Sequence, residues 1–169
     1  MIDVFNNFYK GKRVLVTGHT GFKGSWLSIW LHELGAEIVG VALDPFTERD
    51  NFVLSGIGKK MVADIRADIR DGQKIKEIFA LYQPEIVFHL AAQPLVRLSY
   101  EQPVETYETN VMGTINIMEA IRAIKSVKVG VMVTTDKCYD NNEQLEGYVE
   151  TDPFGGYDPY LSLIHISEP

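Results

Sequence analysis

The sequence is short of cysteine, of basic charge and of long apolar runs, and each shortage excludes a class of protein. Cys138 is the single cysteine in 169 residues, so there is no disulfide framework and no thiolate cluster for a metal. Lysine and arginine number 16 against 23 acidic residues, a formal net charge of −7. No basic cluster offsets that balance, so nucleic acid is not an expected partner. No apolar run approaches membrane-spanning length, and Met1-Ile-Asp-Val-Phe-Asn-Asn7 lacks the basic start and apolar centre of a signal peptide. The expectation is a cytoplasmic protein with no membrane partner. An apolar share of 46% and a charged share of 23% are ordinary globular values, enough for one domain with a sizeable core.

What is present is organised around Val14-Leu-Val-Thr-Gly-His-Thr-Gly-Phe-Lys-Gly-Ser25. An apolar strand runs into Gly18, Gly21 and Gly24, and a helical pattern begins at once. This is the entry to a dinucleotide-binding fold. Gly18 serves the tight turn, Gly21 the approach of backbone to a pyrophosphate, and Gly24 the close packing of the helix. The pyrophosphate belongs at the helix N-terminus, where free N–H groups and the dipole favour an anion. Positions 22, 26, 27, 30, 31 and 34 form one apolar stripe at helical spacing, ended by Gly35. Glu37-Ile-Val-Gly-Val-Ala42 reads as a second strand. Asp44 follows about twenty residues after the last glycine, where an acid accepts from the adenosine ribose hydroxyls, or else it is a plain loop acid. An acid in that place disfavours a 2′-phosphate, which favours NAD over NADP.

Further along, Pro45 to Gly58 reads as a polar loop and Met61-Val-Ala63 as a short strand. A duplicated Ala-Asp-Ile-Arg then leads to a helix capped by Asp71, with Ile75, Ile78, Phe79 and Tyr82 on its inner face. Glu85 to Ala91 is a fourth strand. Pro103 opens a long helix with its apolar face at Val104, Tyr107, Val111, Thr114, Met118 and Ile121, and Val127 to Val133 is a fifth strand. Strands alternating with helices predict an α/β fold with a doubly wound parallel sheet of the Rossmann type. Ligands of such a sheet gather beyond the carboxyl ends of its strands, at the Gly18 turn, Asp44, the Asp68 turn, Ala91-Ala92-Gln93 and Thr134 to Lys137. Ala91 and Ala92 suit either close approach to a cofactor or tight packing alone. His89, inside a strand, reads as a core or supporting residue rather than a catalytic one. Asn110 holds a kink or a water near the site, or is an ordinary satisfied core group.

Thr134-Thr-Asp-Lys-Cys-Tyr139 and Gly155-Gly-Tyr-Asp-Pro-Tyr160 make the chain resemble the extended short-chain dehydrogenases/reductases, and within them the CDP-glucose 4,6-dehydratase family. Gly18 to Trp26, Asp68 to Asp71, His89 to Arg97 and Tyr107 to Val111 carry the same resemblance, which covers nearly all of 1–160. Related dehydratases acting on dTDP-glucose or GDP-mannose usually have Asp-Glu where this chain has Asp136-Lys137. The resemblance implies NAD as cofactor, CDP-glucose as substrate and a homodimer through helices of this half. It implies cofactor contacts from Gly18, Thr20, Gly21, Phe22, Lys23, Gly24, Asp44, Asp68, Ile69, Leu90, Ala91, Ala92, Gln93 and Thr109, with no metal. It also implies catalytic roles. Tyr160 would take the proton of the C4 hydroxyl, and Thr135 would hydrogen-bond the same oxygen. Asp136, protonated, would donate to the departing C6 hydroxyl. Lys137 stands where relatives place the C5 base, and serves only if its surroundings lower its pKa.

The pattern breaks after Tyr160. The family places a lysine four residues on; here that position is Ile164. The stretch 161–169 resembles nothing in the family, and the expectation is an adaptor read-through joined to a Rossmann domain of 1–160, truncated after about the fifth strand and without a C-terminal substrate-binding region. Two other readings are a nucleotide-sugar 4-epimerase, against which Asp136-Lys137 speaks, and an NAD-binding module without catalysis. The 169-residue chain is expected to give little or no keto-sugar from CDP-glucose and NAD⁺. Turnover measured with the purified chain overturns that expectation.

Overall fold

The computed structural model describes residues 5–135, 138–140, 145–155 and 160. The five strands among them are β1 (Arg13–Thr17), β2 (Glu37–Ala42), β3 (Ala63–Arg66), β4 (Ile86–His89) and β5 (Val129–Met132). All neighbouring strands pair in parallel, in the order β3-β2-β1-β4-β5. The order reverses between β1 and β4, which opens a crevice beyond the carboxyl ends of those two strands. Val14, Leu15 and Val16 of β1 are wholly buried, as a central parallel strand covered on both faces requires. One core layer joins Leu15, Val39 and Val87 to Ile75, Phe79 and Ile117. The other joins Val14, Val16, Ile38 and Ile86 to Leu31.

Helix α1 (Phe22–Glu33) corrects the expected stripe. Its inward residues are Gly24, Ser25, Ser28 and Leu31, with Leu27 half-buried beside them. Phe22, Trp26 and Trp30 lie on the outside, 75%, 53% and 48% exposed. Apolar spacing alone merged two faces of the helix. The helix lies so close to the glycine turn that only small residues fit between them, and the serine hydroxyls turn back on the helix, Ser28 donating to the Gly24 carbonyl at 2.8 Å.

The polar loop after β2 contains a short helix α2 (Asn51–Ser55), which buries Phe52. The third strand starts two residues later than expected, at Ala63. Helix α3 (Gly72–Tyr82) begins as anticipated, the Asp71 carboxylate accepting from the Lys74 N–H at 2.9 Å. The long helix from Pro103 is interrupted. After a helix α4 (Val96–Glu101) come α5 (Pro103–Tyr107), a π-helical turn (Glu108–Met112) and α6 (Gly113–Ala123). Its buried residues are Thr106, Gly113, Ile117 and Ala120, whereas Val104 and Met118 of the expected apolar face are 70% and 42% exposed. Small residues again decide which side faces in. A Cβ on Gly113 would lie 2.5 Å from the Ile69 side chain, so any larger residue there requires that side chain to shift.

Candidate nucleotide site at the carboxyl edge of the sheet

The glycine turn forms the floor of the crevice. Gly18 has φ +72°, open to glycine, and a Cβ there would meet the Ala91 backbone at 2.8 Å. A Cβ on Gly24 would fall 2.1 Å from the Gly18 carbonyl oxygen. Two backbones therefore meet with no side chain between them, as the spacing of these glycines leads one to expect. Gly21 is the N-cap of α1 and supplies no capping side chain. The first-turn N–H groups, those of Phe22, Lys23 and Gly24, thus have no intrahelical acceptor and are available to an anion. The Phe22 and Lys23 side chains are exposed. Thr20 is buried and ties the turn to β2 by donating to the Leu43 carbonyl at 3.0 Å.

Beyond β2, Asp44 is exposed and accepts from Arg66 Nε at 3.0 Å. Arg66 also grips Asp64 with both terminal nitrogens. Asp64 in turn accepts from His19 Nε2 at 2.7 Å. Burial would raise the Asp64 pKa, but the hydrogen bonds from Arg66 and His19 prevail and hold it below the usual carboxylate range. Burial lowers the His19 pKa against the pull of Asp64, leaving a neutral ring that donates. Asp68, at the next strand end, is held low by Arg70, which forks onto it at 2.6 and 2.9 Å. Ile69 is buried, and Asn116 of α6 fixes its loop by donating to the carbonyls of Ile69 and Arg70 at 3.0 and 3.1 Å.

The exit of β4 is held by a chain of hydroxyls and one imidazole. The Thr17 hydroxyl accepts from the Leu90 and Ala91 N–H groups, both at 3.1 Å, so its own proton goes to His89 Nδ1 at 2.7 Å. His89 must then carry its proton on Nε2, which donates to Thr114 at 3.0 Å, and Thr114 donates to the Asn110 carbonyl at 2.6 Å. The Asn110 amide pairs with both backbone groups of Gln93, at 2.7 and 3.0 Å. Asn110 is the central residue of the π turn. Gln93 directs its own amide to Thr106 and Leu95. Ala92 is exposed at the turn; Leu90, Ala91 and Thr109 are half-buried.

Of the residues expected to act on substrate, Thr135 lies three places beyond β5 and is half-buried, and Tyr160 is half-buried. Asp136 and Lys137 lie outside the described residues. Sequence reasoning did not assign roles to Thr17, His19, Asp64, Arg66, Thr114 or Asn116. A polar residue inside an apolar run was the only local signal for the first, and the others are defined by partners distant in sequence. Among the described residues no group of three His, Cys, Asp or Glu could hold a metal ion, and no helix is long and apolar enough to cross a membrane.

A reversed parallel sheet, a side-chain-free glycine turn, an uncapped helix start and acids at the ends of β2 and β3 define a dinucleotide-binding α/β domain. Residues 15–162 match the family model described as GDP-mannose 4,6 dehydratase, and the chain belongs to that family. It is 56% identical to the CDP-glucose 4,6-dehydratase of Salmonella typhimurium over 160 residues, 95% of this chain and 44% of that one. A UDP-glucose 4-epimerase of Mycoplasma genitalium is 31% identical over 64% of this chain and 32% of its own. Among solved structures, the Thermus thermophilus UDP-glucose 4-epimerase complex with NAD superposes with a TM-score of 0.76 at 33% identity, covering 89% of this chain and 47% of that one. The chain thus spans less than half the length of these relatives.

Burial lowers the His89 pKa from 6.5 to about 4. Between those values the unfolded chain binds a proton that the folded chain refuses, so stability falls as pH drops through this window, by on the order of 3 kcal/mol. Thermal or urea unfolding from pH 7 to pH 4 should show a clearly shallower pH slope in His89→Gln than in the parent. Equal slopes contradict the assignment.

Proposed function

We propose that the chain is the cofactor-binding part of an NAD-dependent dehydratase that converts CDP-glucose to CDP-4-keto-6-deoxyglucose. The observation that carries the cofactor reading is the uncapped start of α1, set against Gly18 and Gly24 with no room for a side chain. The substrate reading draws on 56% identity to a CDP-glucose 4,6-dehydratase, against 31% and 33% to the two epimerases. Residues 1–160 form the cofactor domain in this proposal, and 161–169 stand apart from it. Val129 and Val131 of β5 and Val133 just after it are 45%, 38% and 43% exposed, an apolar face of the kind a parallel sheet covers. NAD and nucleotide sugars are cytoplasmic metabolites, which agrees with a cytoplasmic location.

In this reading the Gly18 turn, Thr20, Gly21 and the first-turn N–H groups of Phe22, Lys23 and Gly24 receive the pyrophosphate. Asp44 accepts from the adenosine ribose. Asp68 and Ile69 border the adenine, while Leu90, Ala91, Ala92, Gln93 and Thr109 line the passage toward the nicotinamide. Bound NAD⁺ supplies a reversible acceptor for two electrons and a hydrogen. The residues proposed for the proton work follow β5. Tyr160 accepts the C4 hydroxyl proton, Thr135 orients that oxygen, Lys137 removes the C5 proton and Asp136 protonates the leaving C6 hydroxyl. Energy transfer from tryptophan to NADH should report binding by the chain. Gly21→Asp, which sets a carboxylate at the anion site, should weaken it at least about tenfold. Unchanged affinity in that variant argues against the site.

The partner proposed for the helix Pro103–Met112 is a second copy of the chain. Pro103, Val104, Tyr107, Val111 and Met112 line an open apolar groove on its outer side. Sedimentation should show a dimer that Val104→Asp converts to monomer. A monomeric parent chain refutes the pairing.

A further inference from the structure

The charged relay beside the glycine turn has a part beyond holding β3 in place. Arg66 is the last residue of β3 and stands in register with Ala42, two places before Asp44. Its guanidinium is held on three sides: both terminal nitrogens bond to Asp64, Nε bonds to Asp44 at 3.0 Å, and the Phe52 ring lies 5.2 Å beneath. Asp64 is itself bound by His19, a member of the glycine turn whose ring covers Gly40 so closely that a Cβ there would lie 2.6 Å away. Thr20, the next residue, fastens Leu43. The turn that would take the pyrophosphate and the acid that would take the ribose are thus joined by two short paths, and Arg66 ends one of them.

We infer that Arg66 is a positioning residue for Asp44: it fixes the carboxylate that would face the ribose, and it is the group that would receive a 2′-phosphate once that carboxylate is removed. The inference rests on the cofactor reading above. Arg66 occupies Oδ1 of Asp44 and leaves the other oxygen of an exposed carboxylate for the ribose hydroxyls. One guanidinium shared by two carboxylates leaves the cluster with a net charge of −1, which accepts hydroxyl donors and repels a phosphate dianion. Without Asp44 the same guanidinium, still held by Asp64 through its terminal nitrogens, has its Nε–H released, and a charged N–H donor binds phosphate well.

The experiment is calorimetric titration of the chain and its variants with NAD⁺ and with NADP⁺, a readout independent of turnover. The parent should prefer NAD⁺. Asp44→Ser, a change at an exposed position, should weaken NAD⁺ and strengthen NADP⁺ about tenfold each, reversing the preference. Asp44→Ser combined with Arg66→Met should lose the NADP⁺ gain. Arg66→Met alone should weaken NAD⁺ several-fold while NADP⁺ remains excluded. A preference unmoved by Asp44→Ser, or a gain that survives loss of Arg66, overturns the inference. A parent chain that binds neither nucleotide overturns the cofactor reading itself.

Discussion

A contact without side chains governs this fold: the first turn of α1 rests on the carbonyl of Gly18, and Gly18 rests on the backbone of Ala91. A single methyl at either glycine would push apart β1, α1 and the exit of β4. Glycines lose the most freedom on folding, so such a turn has to be held from outside. The holding groups are polar and lie on both sides of β1. The Gly18 N–H donates to the Val41 carbonyl at 2.8 Å and Thr20 donates to Leu43, which bind the turn to β2. Thr17 receives the Leu90 and Ala91 N–H groups, which binds it to β4. The floor of the crevice is therefore backbone, and its walls are tied to that floor.

The strands and the glycine turn were legible in the sequence because their signals are local. Val14-Leu-Val16 is apolar without alternation because β1 is buried on both faces, and Gly18 has a positive φ that favours its own residue type. The inward faces of the helices were not legible from apolar spacing. Spacing of large residues selects Trp26, Trp30, Val104 and Met118, yet the close approach of α1 and α6 selects Gly24, Ser28, Gly113 and Ala120. Large side chains are then left outside, where they mark surfaces and not the core. The short helix α2 reads as loop in the sequence because its burial rests on one residue, Phe52, whose partners His19 and Arg66 come from other elements.

The supporting shell of the site was illegible for a related reason. Thr17 and His89 are 72 positions apart, and Asn116 and Ile69 are 47 apart. Nothing near any of these residues in the chain announces its partner; the sheet order brings them together. Asn110 was open to two readings, a group near the site or a satisfied polar residue of the core, and the structure joins them. Its amide oxygen and nitrogen are both paired, and what they pair with is Gln93 in the turn that borders the crevice. The π turn and that pairing coincide at Asn110.

Among the described residues, charge beside the glycine turn is arranged so that the backbone N–H groups of α1 are the oriented donors left for an anion. His19 and His89, one on each side of β1, are both pushed toward the neutral form by burial. Arg66 and Arg70 are each engaged by carboxylates, so neither offers an uncommitted cation. Lys23 is exposed at the first turn of α1 and can shield an anion without fixing its orientation. In the proposed reading, a pyrophosphate at this turn would be oriented by the N–H groups and dipole of α1, whose direction is set by the Gly18–Gly24 contact. On that proposal, geometry and not net charge would determine where the rest of a dinucleotide lies, with one end at Asp44 and the other toward the carboxyl end of β5.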